Sequence, residues 1–193
     1  VANLESEMSA RPLVDATTES RLRELEAQVA RLAGSRPRPA GLTIIAFSGD
    51  MDKLLAAFML ANGAAAMGMP VTMFFTFWAL AALKRKTVFK GKRAFGKFVT
   101  AMLPAGPRRL GPSRWSMFGL GRLCFDALMR RQHLSSLPDL IALAREMNVR
   151  IVACETAMAV MAITRDELVD GLQFGGVASC LDAAQSSAAT FFV

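Results

Sequence analysis

The run Leu42-Thr-Ile-Ile-Ala-Phe47, the turn Ser48-Gly-Asp50 and the later run Val71-Thr-Met-Phe-Phe-Thr-Phe77 decide how this chain folds. The first run is apolar and β-branched and reads as a buried strand. Ser48-Gly49-Asp50 is a turn that offers a helix N-cap. Residues 51–67, rich in Ala, Leu and Met, read as a helix that Gly68-Met69-Pro70 breaks. Residues 71–77 read as a second strand and Trp78–Leu83 as the start of a short helix. Strand, helix and strand, with both strands apolar on either face, is the signature of a parallel sheet.

The same residues carry a rival reading. Residues 54–83 hold no charged side chain, and a stretch of that length can span a bilayer. Asn62, Gly63 and the Gly68-Met69-Pro70 break oppose it. So does the switch at the break from helix formers to strand formers, which a membrane helix does not need. The expectation is a buried βα unit.

Upstream, residues 16–33 read as a helix with Leu22, Leu25, Val29 and Leu32 on one stripe. Gly34 and Ser35 stop it, and Arg36-Pro-Arg-Pro-Ala40 reads as a stiff linker. The stripe covers about two heptads, too few for a lone coiled coil, so it either docks on the domain or drives self-association. Downstream, residues 84–117 are basic and punctuated by Gly and Pro, with Phe89, Phe95, Phe98 and Trp115 interleaved. Residues 118–131 read as a helix packing Leu120, Leu123, Cys124, Ala127 and Leu128 on one face. Ser136-Leu-Pro138-Asp139 opens a helix that runs to Met147 and ends at Asn148. Val149–Ala153 is a third strand, terminating at Cys154. Thr164-Arg-Asp-Glu167 is a capping box opening a short helix. Gly175-Gly176 precedes another, and Ala189–Val193 is a last strand. The organisation expected is a helical arm and linker over 1–40 and one α/β domain over 41–193. That domain is flavodoxin-like, a parallel sheet flanked by helices, with 84–114 as a basic insert.

Composition narrows the chemistry. Three cysteines, Cys124, Cys154 and Cys180, are too few and too scattered for a disulfide scaffold, and no Cys-x-x-Cys pair occurs. With His133 as the one histidine, no metal site is expected. No Gly-x-x-x-x-Gly-Lys or Gly-x-Gly-x-x-Gly occurs, so ATP and dinucleotides are not supported and no cofactor is expected. Asp50 and Asp52 serve the helix N-terminus, and His133, after Arg130-Arg-Gln132, reads as a solvated helix-end residue. The start Val1-Ala-Asn-Leu-Glu lacks the basic and apolar regions of a secretory signal, so the cytoplasm is the expected compartment.

The net charge of +7 is concentrated: residues 84–131 hold thirteen Lys and Arg against one acid, while residues 132–193 hold three against seven. A solvated insert is one explanation. An anionic membrane surface is another, because phenylalanines interleave the charges. An acidic partner protein is a third. Nucleic acid is not supported, since no binding motif accompanies the charge.

Cys154 is the most informative residue. Ligands of open parallel sheets bind outside the carboxyl ends of the strands. A thiol there, leading into a helix over residues 155–161, meets a partial positive charge that favours the thiolate, the nucleophile of persulfide transfer. The alternative is an inert buried cysteine.

Ile44-Ile-Ala-Phe-Ser-Gly-Asp-Met-Asp-Lys53, Phe74-Phe-Thr-Phe-Trp78, Ser136-Leu-Pro-Asp-Leu140, Cys154 with Met158, Met161 and Ile163, Glu167-Leu-Val-Asp-Gly171 and Gly175-Gly-Val177 occur in order. In this order and spacing the chain resembles the DsrE/DsrF/DsrH-like family of small sulfur-handling proteins, in its DsrE-like sulfur-reduction branch, over residues 42–193. The resemblance implies a DsrE-like fold and sulfur trafficking. Cys154 would accept sulfane sulfur as a persulfide and pass it to another thiol, as a carrier or a sulfurtransferase. It also implies donor and acceptor proteins or small thiols as partners, and a homo-oligomer. The family pattern Cys-x-Met-Ser-Met-x-x-Met-Gly-Ile reads here Cys154-Glu-Thr-Ala-Met-Ala-Val-Met-Ala-Ile163. The lost Ser removes a hydroxyl, and Glu155, if close, would disfavour the thiolate. Cys180, after the glycine pair, and Cys124 are secondary thiols that a relay would use. The rival to sulfur trafficking is a non-enzymatic membrane-surface or assembly protein that uses the basic insert and the N-terminal helix.

Overall fold

The computed structural model describes residues 16–34, 41–89, 91–113 and 120–193. The chain divides into two compact units, residues 1–38 and 39–193. In the first, α1 (Ala16–Gly34) leaves Leu22, Leu25 and Val29 exposed. The side chain of Leu32 and the Pro-rich linker through residue 40 lie outside the described residues.

The second unit is built on five parallel strands: β1 (Gly41–Ala46), β2 (Val71–Phe75), β3 (Arg150–Cys154), β4 (Gln173–Gly175) and β5 (Ser187–Phe192), in the order β4-β3-β2-β1-β5. From β1 to β4 each crossover steps in one direction, and the step to β5 returns past β1 to the far edge. Right-handed crossovers therefore place helices on both faces. On one face α2 (Met51–Ala66) packs against α5 (Leu137–Glu146). On the other, α7 (Val177–Gln185) packs against β1, β4 and β5. Phe58 of α2 meets Phe75 of β2 at 5.8 Å between ring centroids. Met73 and Phe75, with register partners Ile151 and Ala153, thus face α2. Phe74, Val152 and Cys154 alternate to the α7 face.

The βα unit forms as expected. Leu54, Leu55, Phe58 and Ala61 of α2, most of β2, and Ala79–Leu83 in a 3₁₀ helix (Phe77–Leu83) are buried. No described helix is long and apolar enough to cross a membrane. The second strand is shorter than the sequence suggests: it stops at Phe75, and Phe77 turns the chain with φ of 45°.

Three features differ from the sequence reading. First, the basic segment contains α3 (Ala94–Met102), whose Phe95, Phe98 and Met102 point outward and therefore gave no amphipathic signal toward the core. Second, α4 (Leu120–Arg131) does not pack the expected face: Leu123, Cys124, Ala127 and Leu128 are exposed, and Phe125 and Met129 turn inward instead. The residues before 120, with Trp115, lie outside the described residues. Third, the three-residue β4 is too short for a periodic signature.

The basic segment is also not simply solvated. Lys84 and Lys92 converge on Glu167, whose side chain is fully buried. Glu167 Oε2 accepts from Lys92 Nζ at 2.7 Å and the Thr164 amide at 2.9 Å, while Oε1 accepts from the Val88 amide at 3.0 Å. Lys92 also donates to Thr100 Oγ1 in α3. Lys84 Nζ lies 3.6 Å from Oε1, an ion pair beyond hydrogen-bond reach. Burial holds the Lys84 ammonium below its usual range, with Glu167 opposing that shift. At the surface Arg85 pairs with Asp170 and Lys86 with Asp166. The insert is thereby clamped onto the capping box Thr164–Glu167, which opens a short 3₁₀ helix (Arg165–Glu167).

Burial raises the proton affinity of Glu167, but Lys92, the two amides and Lys84 outweigh it and hold the carboxyl below its ordinary 4.5. Its contribution to stability is therefore present above pH 4.5 and lost as the pH falls through the folded-state value. Glu167→Gln strands two buried cations and is expected to cost about 3–5 kcal/mol at pH 7. Urea unfolding of both proteins from pH 7 to pH 3 checks this, the gap closing at the acid end.

Candidate functional site

All five strands end at one edge of the sheet, and Cys154 sits there as the last residue of β3. Its backbone is the N-cap of α6 (Glu155–Val160), a helix of six residues, and its side chain makes no capping hydrogen bond. Cys154 is 5% exposed. Ala157, Met158, Met161 and Ile163 are buried with it, so the methionines and isoleucine after the cysteine are packing residues that hold α6 in place. Glu155 turns outward and pairs with Arg165, whose guanidinium lies 4.4 Å over the Phe174 ring. Its charge is thus matched at the rim rather than left facing the thiol.

The strand register determines what stands beside the thiol. Cys154 pairs with Gly175, so both residues project toward the α7 face. A Cβ built on Gly175 would lie 2.7 Å from Ser179 Oγ, 2.9 Å from Ser179 Cβ and 3.5 Å from Val152 Cγ1. The glycine therefore lets the first turn of α7 lie directly on β4, next to Cys154. Cys180 follows Ser179 and is 8% exposed. Burial, and after it the Cys154 sulfur, push the Cys180 thiol above its usual range. The structure thus brings two of the three cysteines together, and Cys124 remains apart on the exposed side of α4.

The crevice over the topological switch point, between β1 and β5, is occupied differently. The Phe47 ring lies 5.4 Å from Phe77 and 5.9 Å from Phe192, and the Phe47 and Ser48 amides donate to the Val193 carbonyl. Cys154 stands two strands away, so the general rule for strand ends locates its edge but not its strand.

The neighbouring acids do other work than expected. Asp50 occupies the N-cap of α2 without a side-chain capping bond; its Oδ2 accepts from Ser48 Oγ at 2.8 Å and pairs with Lys53 at 2.9 Å. Asp52 accepts from the Ser113 amide and hydroxyl, at 2.9 and 2.6 Å, tying down the end of the insert. Burial opposes that bonding, yet the Ser113 bonds prevail and lower the Asp52 carboxyl below its ordinary range. His133 is exposed at the end of α4 with φ of 54°. No group of three or more His, Cys, Asp or Glu side chains suited to a metal occurs among the described residues.

Residues 39–192 match the profile of the DsrE/DsrF/DrsH-like family. The chain is 36% identical over 152 residues to the uncharacterized protein YrkE of Bacillus subtilis (strain 168), covering 78% of this chain and 95% of YrkE. It is 29% identical over 156 residues to the sulfur carrier protein DsrE2 of Allochromatium vinosum, covering 76% of this chain and 93% of DsrE2. Among solved structures, the YchN protein from E. coli aligns with a TM-score of 0.46 at 12% identity, over 79% of this chain and 98% of YchN. The match over 39–192 spans all five strands and Cys154, and the chain belongs to the DsrE/DsrF/DrsH-like family.

Proposed function

We propose that the protein traffics sulfur, carrying sulfane sulfur as a persulfide on Cys154. The observation that carries this reading is a free, buried thiol at the carboxyl end of an interior parallel strand, with the carboxylate next in sequence, Glu155, paired to Arg165. The similarity to a protein named as a sulfur carrier supports it. The Cys154 thiolate attacks the sulfane sulfur of a polysulfide or persulfide, the donor S–S bond breaks, and the donor leaves as a shorter polysulfide anion or as a thiolate. An acceptor thiolate then takes the outer sulfur and restores Cys154. Neither step needs an external oxidant or reductant. Burial shields the carried sulfur from water and adventitious thiols between the two encounters.

Mass spectrometry after polysulfide treatment tests the reading. The wild-type chain gains one sulfur on the Cys154 peptide, and Cys154→Ser reduces loading to background while keeping the wild-type melting temperature. Undiminished loading of Cys154→Ser contradicts it.

The exposed faces favour two further points. The stripe Leu22, Leu25 and Val29 of α1 supports a homo-oligomer. Deleting residues 1–40 should then lower the mass seen by light scattering, and a full-length monomer refutes it. On α3, Phe95 and Phe98 are 74% and 64% exposed beside Lys97. This favours the second reading, peripheral contact with an anionic membrane surface. Full-length protein should float with phosphatidylglycerol vesicles and be released by raising salt. Lys97→Glu and Phe95→Ser should each weaken flotation; no flotation at low salt excludes this contact.

A further inference from the structure

We propose that Cys180 is a resolving thiol: it closes a Cys154–Cys180 disulfide on loaded Cys154 and releases the carried sulfur as hydrogen sulfide. This rests on Cys154 being the sulfur-bearing thiol and adds a second activity, sulfane-sulfur reduction, to carriage.

The strand register and the packing of α7 set the two cysteines in one neighbourhood. Cys154 and its register partner Gly175 face α7, and Gly175 has no side chain to separate them from it. Ser179 rests on Gly175, and Cys180 is the next residue of the same helical turn. Both cysteines belong to one buried cluster, with 5% and 8% of their surfaces exposed. Cys180 is tethered on the helix that packs on β4, the strand paired with Cys154, and the effective concentration of a tethered nucleophile far exceeds that of a free thiol. Burial, and after it the Cys154 thiol, raise the Cys180 thiol above its usual range, in keeping with this shared neighbourhood.

The step balances. Cys180 sulfur bonds to Cys154 Sγ, and the bond from Cys154 Sγ to the outer sulfur breaks. The departing sulfur takes that electron pair, keeps its own proton, gains the proton of Cys180 and leaves as hydrogen sulfide. Two thiol sulfurs are oxidised to a disulfide as one sulfane sulfur is reduced. A dithiol reductant, a small molecule or a protein, restores the pair for the next round.

The full-length protein, treated anaerobically with sodium tetrasulfide and desalted, provides the test. The wild type should first gain one sulfur, then lose it as assayable sulfide while a Cys154–Cys180 peptide crosslink forms. Cys180→Ala and Cys180→Ser should keep the added sulfur on Cys154, with sulfide release falling at least ~10-fold, as when a tethered nucleophile is removed. Diamide, which oxidises dithiols without supplying sulfur, should give the same crosslink in the wild type. A persistent persulfide in the wild type, or equal sulfide release from both Cys180 variants, overturns the resolving role while leaving carriage on Cys154 standing. No loading of the wild type overturns both readings. Absence of the crosslink after diamide, with Cys180→Ala and Cys180→Ser melting like the wild type, overturns the pairing of the two thiols.

Discussion

The parallel register that sets Cys154 against Gly175 constrains everything around the site. It turns the thiol toward α7, leaves a gap where a side chain would stand, and lets Ser179 close that gap. A larger residue at 175 would lift α7 from the sheet and move Cys180 with it. The short strand β4 and Gly175 therefore set how closely α7 lies on the sheet beside Cys154. The packing of Met158, Met161 and Ile163 completes the arrangement by holding the helix that starts at Cys154.

A second constraint is electrostatic. The chain separates its charge along the sequence, and the fold brings the two signs back together. The acidic run Asp166–Asp170 receives Lys84, Arg85, Lys86 and Lys92. The exposed pairs contribute little, since solvent screens them. The Glu167 cluster is different, because a buried carboxylate between two ammonium groups tolerates the loss of no partner. Through Thr100 it also positions α3, and with it the exposed phenylalanines Phe95 and Phe98.

The α/β class, the βα unit and the strand ending at Cys154 were legible in the sequence, because apolar β-branched runs and Gly-Pro breaks report burial directly. The boundary helices were legible through their caps at Ser136 and Thr164. What escaped was long-range. Glu167 neutralises lysines some eighty positions earlier in the chain, and a local charge run cannot announce such a partner. The face of α4 was misassigned because Leu123, Cys124 and Leu128 have helical spacing yet remain exposed, while Phe125 and Met129 do the packing. The Cys154–Cys180 neighbourhood depends on β4, three residues long, and on a glycine whose role emerges only when its register partner is known. Its one local signal was the pair Gly175-Gly176 before a helix.

On the proposed reading the strand-end thiol, and not the accessible one, bears the sulfur. A chain retaining Cys154 alone, with Cys124→Ser and Cys180→Ser, isolates that choice. Treated with polysulfide, this variant should gain one sulfur at Cys154 and transfer it to an added thiol acceptor. Failure of this variant to load, while a chain retaining only the exposed Cys124 loads fully, would contradict it.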